Sequence, residues 1–169
     1  MVTRDDAQQA EGTTGTEERY CLFSVAGEVV GVPVPALFEV VSEALITPLP
    51  EVPAGLVGLM NFRGEILPVV DLGPWIGIPV IPRLQVMVVQ GGEHQIGVAV
   101  DAIRDMVDAA MGLDGAKGAG DGPLGGALRL VAGDRLRGAT VAPERAWVVD
   151  ASRLVEGLTQ VFSPVVEAI

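Results

Sequence analysis

Leu56-Val57-Gly58-Leu59-Met60-Asn61-Phe62-Arg63-Gly64-Glu65-Ile66-Leu67-Pro68-Val69-Val70 is the stretch on which the reading of the fold turns. Two apolar runs of strand length flank a four-residue turn, Phe62 to Glu65, in which Gly64 can take the positive φ that tight reversals require. The pattern predicts a β-hairpin, and Asp71 just beyond it is placed to cap the short turn that follows.

The same grammar repeats on both sides. Upstream, Tyr20 to Ala26 and Val29 to Val34 flank Gly27-Glu28 and read as a second hairpin, with Pro33 at a strand end because it cannot donate to a ladder. Ala36 to Val41 reads as one helical turn entering a strand that ends near Ile46, and Pro48, Pro50 and Pro53 then impose an extended connector. Downstream, Leu84 to Val89 and Gln95 to Val100 flank Gly91-Gly92-Glu93-His94, a third hairpin whose strand signal continues through Ile103, Met106 and Val107. Residues 112–126 are rich in glycine without periodicity and predict a flexible loop. Leu136 to Val141 and Ala146 to Val149 read as strands. A helix follows, with Leu154, Val155, Leu158, Val161 and Phe162 on one face, Asp150 as its N-cap and Pro164 as its stop.

About ten short, closely spaced strands with few helices predict an all-β fold of small barrels rather than an alternating βαβ sheet. Residues 1–18 carry almost no large apolar side chains and are expected to be a disordered tail. The ordered domain is expected over 19–163, with 164–169 as a C-terminal tail.

Composition narrows function. The chain has 169 residues, 49% of them apolar and 20% charged, enough to bury a substantial core. Its formal net charge of −11 opposes binding to a phosphate backbone or an anionic lipid surface. No secretory signal is read in the opening residues, and no apolar stretch reaches the roughly 18 residues of a membrane span, so a cytoplasmic protein without direct membrane insertion is expected. A lone cysteine, Cys21, fits a reducing compartment.

Catalysis finds little footing. The only histidine, His94, sits in a glycine turn, no serine lies in a Gly-x-Ser-x-Gly elbow, and Cys21 lies inside an apolar strand where an inert thiol is expected. The glycine-rich segment lacks the phosphate-binding Gly-x-x-x-x-Gly-Lys-Ser/Thr pattern. Asp101, Asp105 and Asp108 would converge only on a helix, and their spacing does not match a calcium loop. No catalytic residue, metal site or cofactor is assigned.

Gly58-Leu59-Met60-Asn61-Phe62-Arg63-Gly64-Glu65-Ile66-Leu67-Pro68-Val69-Val70-Asp71-Leu72 resembles the central motif of the CheW-like family, roughly Gly-Val-x-Asn-Leu-Arg-Gly-x-x-x-Pro-Val-x-Asp-Leu. Other segments fall in family order: the opening hairpin, Phe38-Glu39-Val40-Val41, the connector Ile46 to Pro50, Gly97 to Ile103, and Ala146-Trp147-Val148-Val149-Asp150. The resemblance covers about Tyr20 to Leu158. It implies two small SH3-like five-stranded β-barrels sharing an apolar core, with short helices and a C-terminal helix.

It also implies a non-catalytic adaptor that holds the regulatory domain of a CheA-type histidine kinase against the cytoplasmic tip of a chemoreceptor. Partner contacts would fall at Glu39, Gly58, Asn61, Arg63, Gly64, Ile103 and Met106. Arg63 suits such a contact because its planar five-donor fork can hold a carboxylate or backbone carbonyls; solvation of the turn is the bland alternative. Glu39 reads as a rim contact or an exposed strand charge. Gly58 and Gly64 read more as backbone necessities than as chemical contacts, and Ile103 and Met106 fit either a receptor-facing surface or the protein's own core. Where family members often have a basic residue after Asp-Leu, this chain has Gly73. Two other readings stand beside this one: the same scaffold in a pathway governing pili, gliding or gene regulation, and a small-molecule-binding barrel or enzyme.

Overall fold

The computed structural model describes residues 17–80, 82–83, 85–110, 117–118, 124 and 126–167. Two sheets account for most of them. Strands β1 (Glu17–Val25) and β2 (Glu28–Pro33) open the chain, and a 3-10 turn at Val34–Ala36 leads to β3 (Leu37–Val41). Next come β4 (Leu56–Phe62), β5 (Glu65–Val70), the one-turn helix α1 (Gly73–Ile76), β6 (Gln85–Gly91) and β7 (His94–Val100). The chain then runs through β8 (Ala102–Ala110), β9 (Lys117–Gly118), β10 (Leu128–Ala132), β11 (Leu136–Arg137), β12 (Arg145–Val149) and helix α2 (Ala151–Glu167).

The first sheet has the order β11-β8-β1-β2-β12-β10-β9 and the second β3-β6-β7-β5-β4. The run of strands thus starts and finishes in one sheet with the other inserted between, and α2 follows. The predicted hairpins are all present: β1 pairs antiparallel with β2, β4 with β5 and β6 with β7. In the first two, both turn residues have positive φ, 49° and 85° at Ala26 and Gly27 and 52° and 87° at Arg63 and Gly64. These are the mirror-image two-residue turns whose twist matches that of the flanking strands.

Strand periodicity builds three apolar layers. Because successive side chains alternate faces, β6 sends Met87 and Val89 into a core shared by both sheets and Val86 and Val88 into the interior of the second. The shared core takes Phe23, Val30 and Val32 from the first sheet, Val70, Val98 and Val100 from the second, and Leu154, Val155, Leu158 and Phe162 from α2. The expected shared apolar core and β-barrel-like pair of sheets are therefore observed, with the predicted helix face closing the core.

Several boundaries differ. The first sheet has seven strands rather than five, because two of its strands are only two residues long. One unpredicted strand, β10, pairs with β12. The strand expected from Leu136 to Val141 stops at Arg137, where Gly138 turns the chain with a φ of 89°. Strand β1 begins at Glu17, so the expected tail of 1–18 overlaps its first two residues; 1–16 lie outside the described residues. The loop expected at 112–126 contains β9, paired with β10, and a fully buried Leu124; its remainder, apart from Gly126, lies outside the described residues. Pro164 does not end α2, which runs to Glu167, so the tail expected from 164 starts within the helix. A proline removes one hydrogen bond, and a long helix packed on a core carries that loss near its end.

Candidate functional site

In the second sheet β3 and β4 are the two edges and share no ladder. They nevertheless meet. At one end Thr47, in the connector beyond β3, and Leu59 of β4 exchange backbone hydrogen bonds of 2.7 and 2.9 Å. At the other, Arg63 in the β4–β5 turn donates to Glu39 Oε2 on β3 at 2.9 Å. Its guanidinium carbon lies 5.4 Å from the ring centroid of Phe38 and 5.1 Å from that of Phe62. Those two rings, one from each edge strand, meet edge to face at 5.9 Å.

Each predicted residue of this region has a distinct task. Asn61 Oδ1 accepts from the Gly64 amide at 3.0 Å and fixes the turn. Gly64 leaves open space where a side chain would stand, so its role is the positive φ. At Gly58 a Cβ would lie 2.2 Å from the Thr47 carbonyl oxygen, so only glycine admits the close approach of the connector. Arg63 and Glu39 are the chemically expressive pair. Both are exposed, with 64% and 39% of their side chains accessible, which leaves their charges available to a partner at little cost in stability.

Beside Arg63 the sheet end opens into a concavity of about 330 Å³. Each of the five strands contributes one lining residue: Phe38, Gln90, Gln95, Glu65 and Phe62. Arg63 and Glu93, in the adjoining turns, complete its rim. The sequence did not single out the glutamines or these two glutamates, because only the order of strands brings them to one mouth.

Ile103 and Met106 lie elsewhere, on β8 of the first sheet. They are 54% and 42% exposed, so they are surface residues and not core. The structure therefore divides the predicted contacts between the sheets.

The strongest unpredicted constellation joins those sheets. Arg83, with only 1% of its side chain exposed, pairs through Nη1 with the fully buried Asp71 and through Nε with Asp101 at 2.9 Å. Asp71 Oδ1 also accepts from the Gly73 amide at 2.8 Å, as expected for a turn cap, and Asp101 Oδ2 accepts from the Ala26 amide at 2.6 Å. Burial pushes the Asp71 carboxyl above its ordinary range, against the pull of the Gly73 amide and the Arg83 guanidinium. Gly73 follows from this packing: a Cβ there would lie 2.6 Å from the Ile78 carbonyl oxygen and 3.0 Å from Asp71 Oδ1. A basic side chain at 73 has no room.

The residues weighed for chemistry are placed apart. Burial raises the pKa of the Cys21 thiol, which suppresses the thiolate a nucleophile needs. His94 is exposed at the start of β7. Asp105 accepts backbone amides from Thr140 and Met106 at 2.6 and 2.8 Å, and Asp108 pairs with Arg19 at 3.3 Å, so the three aspartates of that segment share no partner. Among the described residues no helix is long and apolar enough to cross a membrane.

Comparison with known proteins bears on this geometry. Residues 19–156 match the family described as the CheW-like domain. The chain is similar to Protein FrzA of Myxococcus xanthus, 33% identical over 90 residues that cover 52% of this chain and 56% of that protein. It is also similar to Chemotaxis protein CheW of Rhizobium meliloti, 32% identical over 89 residues that cover 50% of this chain and 57% of that protein. The matched stretch thus spans little more than half of those relatives. In three dimensions it resembles the scaffolding protein TtCheW from Thermoanaerobacter tengcongensis, with a TM-score of 0.59, 22% identity, and coverage of 80% of this chain and 90% of that one.

Proposed function

This chain belongs to the CheW-like domain family, and from that premise we propose that it is a non-catalytic adaptor coupling chemoreceptors to a CheA-type histidine kinase in bacterial chemosensory signalling. The observation that carries the reading is the exposed Arg63–Glu39 pair, held over Phe38 and Phe62 at the end of the second sheet. An adaptor needs a rigid platform that presents oriented polar groups around apolar surface. Arg63 meets that need: the hairpin fixes its backbone, two rings fix its guanidinium, and Glu39 occupies only part of its five-donor fork.

Ile103 and Met106 supply a second exposed apolar surface, on the other sheet. Two surfaces on two sheets suit a protein that must hold two partners at once. The kinase regulatory domain and the cytoplasmic receptor tip are the partners proposed, with the complex formed in the cytoplasm.

Binding of the purified chain to a cognate receptor tip and to a kinase regulatory domain tests the reading. Engagement of both is expected, and a folded chain that engages neither removes it. The relatives it resembles carry two different names, a chemotaxis protein and FrzA; receptor and kinase genes beside this one would assign the pathway.

A further inference from the structure

The mouth beside Arg63 is charged in an unbalanced way. Arg63 and Glu39 neutralise one another. Glu65 and Glu93, on the same concavity, form no ion pair among the described residues. The floor carries no cation, and its amides are partly engaged: the side-chain nitrogen of Gln90 donates to the Gly92 carbonyl and that of Gln95 to Gln90 Oε1, each at 3.3 Å. The concavity is thus a small, open cup with aromatic walls, amide floor and two uncompensated carboxylates, on a chain already carrying a net charge of −11.

We propose that this mouth receives a lysine or arginine side chain from the partner that docks on the Arg63 hairpin; the inference rests on the adaptor reading above and assigns the chemistry of its contact. An acidic side chain would meet two like charges. An apolar one would strip water from Glu65 and Glu93 without replacing it, a cost that a cation removes. The volume of about 330 Å³ suits one long side chain with its water rather than a whole helix. The long stem of Lys or Arg would let its head reach the carboxylates while its methylenes lie within the mouth.

The test measures association and dissociation of the full chain with the receptor tip and with the kinase regulatory domain across a range of salt concentrations. Glu65→Lys/Glu93→Lys is expected to slow association with the docking partner by about tenfold or more, and Glu65→Gln/Glu93→Gln to flatten its salt dependence, since rim charges act on encounter and ionic-strength response. Both side chains are exposed, so circular dichroism should show an intact fold. The inference is overturned if the charge-reversed variant binds both partners with wild-type rates and salt dependence while Arg63→Ala loses binding; that result leaves the adaptor reading standing. A wild-type chain that binds neither partner overturns both.

Discussion

Two arginines in this chain hold carboxylates by the same chemistry with opposite consequences. Arg83 and Asp71 are sealed between the two sheets, with the more exposed Asp101 on Arg83 Nε and backbone amides on both carboxylates. Arg63 lies open at the end of one sheet, with Glu39 as its ion-pair partner and two aromatic rings beneath it. Burial decides the difference. A charge removed from water is tied to the partners it folded with, because losing one leaves the other unsolvated. A charge that stays hydrated can exchange its partner for another at small cost. The first cluster therefore serves the architecture, and the second is the one we propose for recognition.

The largest effect should come from breaking the sealed Arg83–Asp71 pair. Arg83→Met leaves the buried Asp71 without its cation and is expected to cost about 3–5 kcal/mol in urea denaturation. Adding Asp71→Asn, which keeps an oxygen for the Gly73 amide and removes the stranded charge, should restore more than half of that loss. If Arg83→Met were as stable as the wild type, the division between the two arginines would fall.

Next in size is Gly58→Ala, which probes the seam that Arg63 closes from its other end. The new Cβ would stand 2.2 Å from the Thr47 carbonyl oxygen, a backbone atom that cannot swing aside. A loss of about 1–3 kcal/mol is expected, read as a lowered thermal midpoint. Partner affinity should fall only as far as the folded fraction does.

Arg63→Ala inverts that profile. With 64% of its side chain exposed, Arg63 should contribute no more than about 1 kcal/mol to stability through Glu39 and a similar amount through the rings. Titration calorimetry should nevertheless show partner affinity down by more than tenfold, or about 1.4 kcal/mol. Wild-type affinity in the folded variant would return Arg63 to the role of closing the seam between β3 and β4.

What was legible in the sequence follows the range of the interactions. The Arg63 hairpin was readable because its signals, alternating apolar residues around Arg63-Gly64, lie within fifteen residues of one another. Glu39, Asn61 and Arg63 were named as partner contacts by resemblance, with nothing to say that they were neighbours, and the structure brings them to one end of one sheet. The Arg83 cluster was not readable: Asp71, Arg83 and Asp101 are dispersed along the chain, and an ion pair across a fold leaves no periodicity. Strand β10 escaped because Leu128-Arg129-Leu130-Val131-Ala132 alternates poorly and finds its partner β12 beyond a 3-10 turn at Gly133–Arg135 and the strand β11. Whether Ile103 and Met106 point into the core was undecidable locally, since an apolar strand residue looks the same on either face.

A fourth carboxylate sharpens the comparison, because it is partly exposed like Glu39 yet fixed like Asp71. Asp105 accepts the amides of Met106, its neighbour on β8, and of Thr140, on the loop beyond β11, and these hydrogen bonds hold its pKa below the usual aspartate value. Here backbone donors replace burial as the source of fixity. A carboxyl whose pKa is lowered by folding contributes stability that is present above the ordinary aspartate value of about 3.9 and is lost as the pH falls through the lowered value. The Thr140 amide resonance should therefore titrate with a midpoint below that of a free aspartate. Asp105→Asn should abolish this titration and flatten the acid limb of the stability curve slightly, with stability near neutral pH little changed. A Thr140 amide indifferent to acid in the wild type would show that exposure alone governs how firmly this protein holds its carboxylates.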